Sequence, residues 1–125
     1  MMKFTLGASE KLKSRKQITQ LFDEGLSLKE YPIRLRFLKV DETNSQFKVG
    51  FSVPKRNFKL AVHRNRIKRL LRETYRLNKH ILNDDIKTNF VLMFIYTDKI
   101  EWEYQDLEKK MILLLRKFVE NHKLN

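Results

Sequence analysis

Residues 55–79 read KRNFKLAVHRNRIKRLLRETYRLNK, and the rest of the chain is organised around this stretch. From Arg64 onward it has the period of one amphipathic helix. At about 100° per residue, Ile67, Leu70, Leu71, Thr74, Leu77 and Ile81 fall within an arc of about 120°. Arg64, Asn65, Lys68, Arg69, Arg72, Arg76 and Lys79 fall on the opposite side, within about 140°. One side suits a core and the other is a cationic stripe. Glu73 is the only acid in the stretch. Like charges at i and i+4, here Arg64, Lys68, Arg72 and Arg76, each destabilise a helix by roughly 0.2–0.5 kcal/mol. No acid on that face offsets them, and a polyanion would.

The totals agree. The chain has 125 residues, a net charge of +12 and 42% hydrophobic residues, nine of them Phe and four Tyr. That is one folded basic domain, 1–125, with nucleic acid as the first class of partner and an anionic membrane surface as the second. There is no cysteine, so disulfides, thiolate zinc sites and thiol nucleophiles are excluded. The absence of cysteine fits a cytoplasmic setting. The opening MMKFTLGASEKL lacks the apolar run of a signal peptide, and the longest apolar run, Phe90–Tyr96, is too short to span a bilayer.

Working outward, residues 1–12 read as an extended, flexible arm with Phe4 and Leu6 as anchors. Ser14 with Gln17 forms a capping box for a short helix over Arg15–Glu24, and Gly25 stands where a C′ glycine belongs. Leu26–Tyr31 reads as a short strand. Ile33, Leu35 and Phe37 alternate with Arg34 and Arg36, and Phe47, Val49, Phe51 and Val53 alternate with Lys48, Gly50 and Ser52. Two strands of that period, separated by the turn residues DETNS (Asp41–Ser45), are expected to pair as an antiparallel hairpin. Their polar side carries Arg34, Arg36 and Lys48. A concave basic sheet face suits single-stranded nucleic acid, and an ordinary solvated face has the same pattern.

Pro54 ends the second of these strands, and the basic helix is expected over about Leu60–His80. Asn83–Thr88 is a polar loop. Phe90–Tyr96 (FVLMFIY) is apolar throughout and reads as a strand covered on both faces. A last helix over about Glu103–Asn121 buries Leu107, Met111, Leu114, Leu115, Phe118 and His122. The expected class is α+β: a single-domain α/β sandwich, helix–three strands–helix–strand–helix, around a mixed four-stranded sheet with a βαβ crossover.

No catalytic or metal-binding residues emerge. The acids are scattered, and Asp84–Asp85 sits beside Asn83 as turn chemistry. The three histidines lack ligand spacing, and no Gly-rich loop cradles phosphate.

The run Ala61–Arg76, AVHRNRIKRLLRETYR, resembles the Arg-Asn-Arg signature of the bacterial ribonuclease P protein component. The resemblance extends through Lys11-Leu12-Lys13, the helix to Phe22 and Gly25, and Phe51-Ser52-Val53-Pro54-Lys55-Arg56. It implies a crossover of the rare left-handed kind, against the usual rule. It also implies a non-catalytic protein subunit of a tRNA 5′-maturation endonuclease, in which a catalytic RNA with Mg2+ removes the 5′ leader of precursor tRNA. The Mg2+ is then held mainly by RNA, with none bound stably by this chain. The implied partners are the catalytic RNA and precursor tRNA, without a membrane or an obligate protein partner. By position, Lys55, Arg56, Arg64, Asn65, Arg66, Lys68, Arg69 and Arg72 take the RNA-binding role. Ile18, Phe22, Arg34, Arg36 and Lys48 fall in the leader-binding cleft, where relatives often carry an aromatic in place of Ile18 and apolar or aromatic residues in place of Arg34 and Arg36. Arg34 and Arg36 are then expected to grip leader phosphates. The alternative is a structural RNA-binding protein, such as a ribosomal protein, with no role in cleavage. A protein-only nuclease is opposed by the scattered acids, and a membrane-surface protein by helix faces committed to a core.

Overall fold

A computed structural model describes residues 6–7, 10–41, 46–82 and 86–122. The elements run α1 (Arg15–Glu24), β1 (Leu26–Glu30), β2 (Ile33–Val40), β3 (Phe47–Ser52), α2 (Ala61–Asn78), a short 3-10 helix (Lys79–Leu82), β4 (Asn89–Tyr96) and α3 (Tyr104–His122). The expected class and element order are both present. Phe4, the DETNS turn from Glu42 to Ser45, and Asn83–Asp85 lie outside the described residues.

The strand order is β1-β2-β4-β3, with β2 antiparallel to β4 and β3 parallel to it. The expected β2–β3 hairpin is therefore wrong. β4 inserts between them because its apolar run needs hydrogen-bonding partners on both edges as well as cover on both faces. The hairpin in this fold is β1–β2, which turns at Tyr31–Pro32 with Glu30 opposite Ile33; the Tyr31–Pro32 peptide is cis. The crossover from β3 through α2 to β4 is the βαβ unit.

One sheet face carries the larger core. Leu35, Phe37, Val49, Leu92 and Phe94 meet Ile67, Leu71 and Tyr75 of α2 and Leu107, Met111, Leu115 and Phe118 of α3. Each such side chain contributes about 1.5–3 kcal/mol by leaving water. His122 closes this layer. Its ring packs against Phe37, Phe90 and Phe118, and its Nδ1 lies 2.8 Å from the Phe118 carbonyl. The other face is covered by α1, whose Leu21 is fully buried against Val91, Met93 and Leu12. Leu12 thus belongs to the fold rather than to a loose arm. Its N–H donates to the Val49 carbonyl at 2.9 Å, and Lys11 makes a parallel bridge to Val49 on the outer edge of β3. Leu6 packs against the larger core.

α1 begins as its sequence indicates, with Ser14 Oγ accepting the Gln17 N–H at 3.2 Å. Its end differs. Gly25 has φ −70° and ψ 156°, extended backbone in place of the left-handed glycine expected there. Glycine is required for space: a Cβ would stand 2.2 Å from the Leu21 carbonyl oxygen and 3.1 Å from that of Phe37. Gly25→Ala should lower stability by about 2–3 kcal/mol. A urea titration should show a lower midpoint at unchanged slope.

Candidate nucleic-acid interface

The basic helix starts without a side-chain cap. Leu60 occupies the N-cap position with extended backbone and offers no side-chain acceptor. Arg64, in the first turns, makes a different tie. Its Nη1 donates to the carbonyls of Phe58 and Lys59, both at 2.8 Å, and ties the lead-in loop to the helix. Exposed Leu60 and Val62 leave the positive end of the helix dipole open to solvent.

The cations of the stripe then divide. Arg66 Nε pairs with Glu101 Oε1 at 2.8 Å, a contact made from the loop before α3. Arg76 pairs with Glu73 at 2.7 Å, and its hydrogen bonds hold the Glu73 carboxyl below the usual carboxylate range. The stretch's one acid is thus engaged at the far end of the helix. Lys55, Arg56, Lys68, Arg69 and Arg72 make no ion pair with any described residue, and Asn65, Arg69 and Arg72 are exposed. Arg72 instead lies over the Phe51 ring, 5.9 Å from its centroid. Lys68, Arg69 and Arg72 share one face of α2 by helical spacing, and a phosphate backbone would relieve their mutual repulsion.

The second part of the interface is the sheet face under α1. Around α1, Leu21 points at the sheet, Ile18 and Phe22 follow on one flank, and Gln17, Gln20 and Glu24 stand on the other. Five residues carried the expected cleft, and the structure splits them. Phe22 lies against Arg36, whose guanidinium is 5.6 Å from the ring centroid, and Arg34 follows on β2 beyond Arg36. Lys48 stands on the opposite flank. There it lines a groove of about 580 Å³ with Lys16, Gln17, Gln20, Lys39 and Val40.

Arg36 is engaged within the fold. Its Nη2 donates to the carbonyls of Leu21, Phe22 and Gly25 at 2.9–3.1 Å, and its Nη1 donates to Ser27 Oγ at 3.3 Å. The guanidinium caps the C-terminal end of α1 and holds the helix to the β1–β2 hairpin, so it positions the cleft and has little left for a phosphate. Arg34 differs from Arg36 in what faces it. Its Nε, like that of Arg36, is buried without a hydrogen-bond partner, but the register sets Lys29 directly opposite Arg34. Like charges facing each other across a ladder are destabilising, and no described acid pairs with either. With Tyr31 and Thr97 they line a pocket of about 240 Å³. Lys29 and Glu101 escaped the sequence reading because only pairing and packing place them beside Arg34 and Arg66. An isolated Lys on a short strand carries no signal.

Among the described residues, no three His, Asp or Glu side chains converge as a metal site, and no helix is long and apolar enough to cross a membrane.

Comparison with known proteins bears on this geometry. Residues 6–119 match the family model described as Ribonuclease P. A ribonuclease P protein component from Porphyromonas gingivalis is 45% identical over 82 residues, covering 65% of this chain; the match spans 60% of that relative's length. One from Clostridium botulinum is 35% identical over 109 residues, covering 86% of this chain and 92% of that protein. Among solved structures, the RNase P protein from Thermotoga maritima superposes with a TM-score of 0.70 at 26% identity, covering 86% of this chain and 96% of its own. The RNase P protein from Staphylococcus aureus, at 20% identity and a TM-score of 0.62, shares the fold over 97% of this chain and 99% of its own.

The division within α2 is testable. Arg64→Ala should cost about 1–2 kcal/mol of folding stability, because two carbonyls lose their donor. Arg69→Ala should change stability by no more than about 0.5 kcal/mol. It should instead make the log–log salt slope of RNA binding shallower by about 0.7–0.9, one phosphate contact. Denaturant titration and filter binding across a salt series separate the two.

Proposed function

This chain belongs to the ribonuclease P protein family, and from that premise we propose that it is the protein subunit of ribonuclease P. It binds the catalytic RNA and the 5′ leader of precursor tRNA, and it assists magnesium-dependent endonucleolytic removal of the leader. The observation that carries this reading is the cationic face of Lys68, Arg69 and Arg72 on α2, which with Lys55 and Arg56 makes no ion pair with any described residue, on a folded domain with net charge +12. Such a face binds RNA through phosphates and releases counterions, which makes affinity fall steeply with salt. A positive surface between two polyanions also lets catalytic RNA and substrate approach at lower cost. The Mg2+ is assigned mainly to the RNA, and this chain's part is electrostatic. The setting is the cytoplasm.

The leader is assigned to the α1 flank that carries Phe22. Phe22 is half exposed and offers a base-stacking surface. Arg34 and Lys29 offer a phosphate site where the like-charge pair has no described counter-ion. Arg36 holds α1 in place beside them.

Two measurements follow. Precursor-tRNA cleavage at low magnesium, with a bacterial ribonuclease P RNA, should occur at the mature 5′ end only when the protein is present. The magnesium requirement should fall when protein is added. An identical magnesium dependence with and without protein would rule the account out; salt-sensitive RNA binding without stimulation would point to a structural RNA-binding protein. In the second, Arg34→Ala with Lys29→Ala should weaken binding of leader-bearing precursor about tenfold relative to mature tRNA, the scale of one or two charged hydrogen bonds. Equal losses for both RNAs would remove Arg34 and Lys29 from the leader site.

A further inference from the structure

We propose that the groove between the N-terminal segment, the outer edge of β3 and α2 is a pocket for one unpaired nucleotide of the bound RNA. The proposal rests on α2 being an RNA-binding face. It concerns a neighbouring site that reads a base where the stripe reads phosphates.

The pocket has a volume of about 240 Å³, the scale of a single nucleotide, and its lining includes Lys11, Lys13, Arg72, Phe51, Gly50 and Leu12. Among the described residues three cations and no acid line it, which is charge complementarity for the phosphates of RNA. Its aromatic element is held firmly. The Phe51 ring lies beside Phe94 at 5.8 Å and edge-on to Tyr75 at 6.0 Å, so it cannot swing away. The Arg72 guanidinium, over that ring at 5.9 Å, supplies a second flat cationic surface. The Phe51 ring backs the guanidinium, whose outer side can stack a base of any identity.

The backbone adds hydrogen bonds. β3 is the outermost strand, and among the described residues one bridge covers its outer edge, that of Lys11 to Val49. The Val49 carbonyl is taken by the Leu12 N–H. Two residues further on, with the same strand parity, Phe51 turns its own N–H and carbonyl toward the groove. A donor and an acceptor side by side can meet the edge of an unpaired base, which a base pair would already have engaged. Gly50 shapes the wall. A Cβ there would crowd the end of the Met93 side chain, with Cε at 3.0 Å and Sδ at 3.1 Å, so glycine leaves Met93 its place beside this wall.

The test uses the full chain bound to the ribonuclease P RNA employed in the cleavage assay, with base-specific chemical probing of that RNA. Arg72→Lys keeps the charge and removes the planar surface. Phe51→Leu keeps the apolar volume and removes the ring, with circular dichroism to verify the fold. The wild-type chain should protect one unpaired base that becomes reactive in both variants, while protection of the backbone along α2 persists. Arg72→Lys should weaken binding about tenfold, the scale of one stacked base, at an unchanged salt slope. Unchanged affinity and protection in Arg72→Lys would overturn the pocket. A pocket failure leaves Arg69→Ala still weakening binding with a shallower salt slope, whereas failure of the underlying reading shows as no wild-type binding at all and takes the pocket with it.

Discussion

The apolar run from Phe90 to Tyr96 cannot be left wet on either face or unpaired on either edge. That constraint organises the molecule. It draws β2 onto one edge of β4 and β3 onto the other, although β2 and β3 are neighbours in the chain. It requires a helical layer above and below the sheet. α2 and α3 provide one layer through a large aromatic-rich core, and α1 provides the other through a much smaller one centred on Leu21. The two layers differ in strength, and function follows the difference. The thick layer makes α2 a rigid bar whose outer side can carry like charges. The thin layer leaves open sheet on both flanks of α1.

Local pattern revealed the elements and the charged face, because both depend on residues a few positions apart. The helix at Arg15–Glu24 is where Ser14 and Gln17 place it, and the stripe of Lys68, Arg69 and Arg72 follows from the helical period alone. Pairing was hidden. Alternation in Ile33–Phe37 and Phe47–Val53 says that each strand has one buried face and nothing about which strand lies beside it. Gly25 shows the same limit. Its position at a helix end is readable, but the reason for glycine, the closeness of the Leu21 and Phe37 carbonyls, exists only after folding.

The arginines teach the point most sharply. Arg34 and Arg36 stand in the same alternation on one strand, yet one caps a helix while the other sits opposite a lysine. Arg64 and Arg66 belong to the same signature. Arg64 stabilises the loop before α2, and Arg66 is held by a carboxylate from a distant part of the chain. An exposed pair such as Arg66–Glu101 contributes about 0.2–1 kcal/mol, little enough for a phosphate to replace the carboxylate. Sequence marks which residues are basic; packing decides which of them are available.

The cap that Arg36 supplies to α1 has a bearing on how the chain folds. Most helices carry their terminating groups within a residue or two of their ends. Here the donors arrive from β2, fifteen positions from Leu21 and on the far side of a reverse turn. The Leu21 carbonyl already has the Gly25 N–H, while those of Phe22 and Gly25 take a donor from Arg36, and a helix of ten residues is marginal by itself. The end of α1 is thereby coupled to closure of the β1–β2 hairpin.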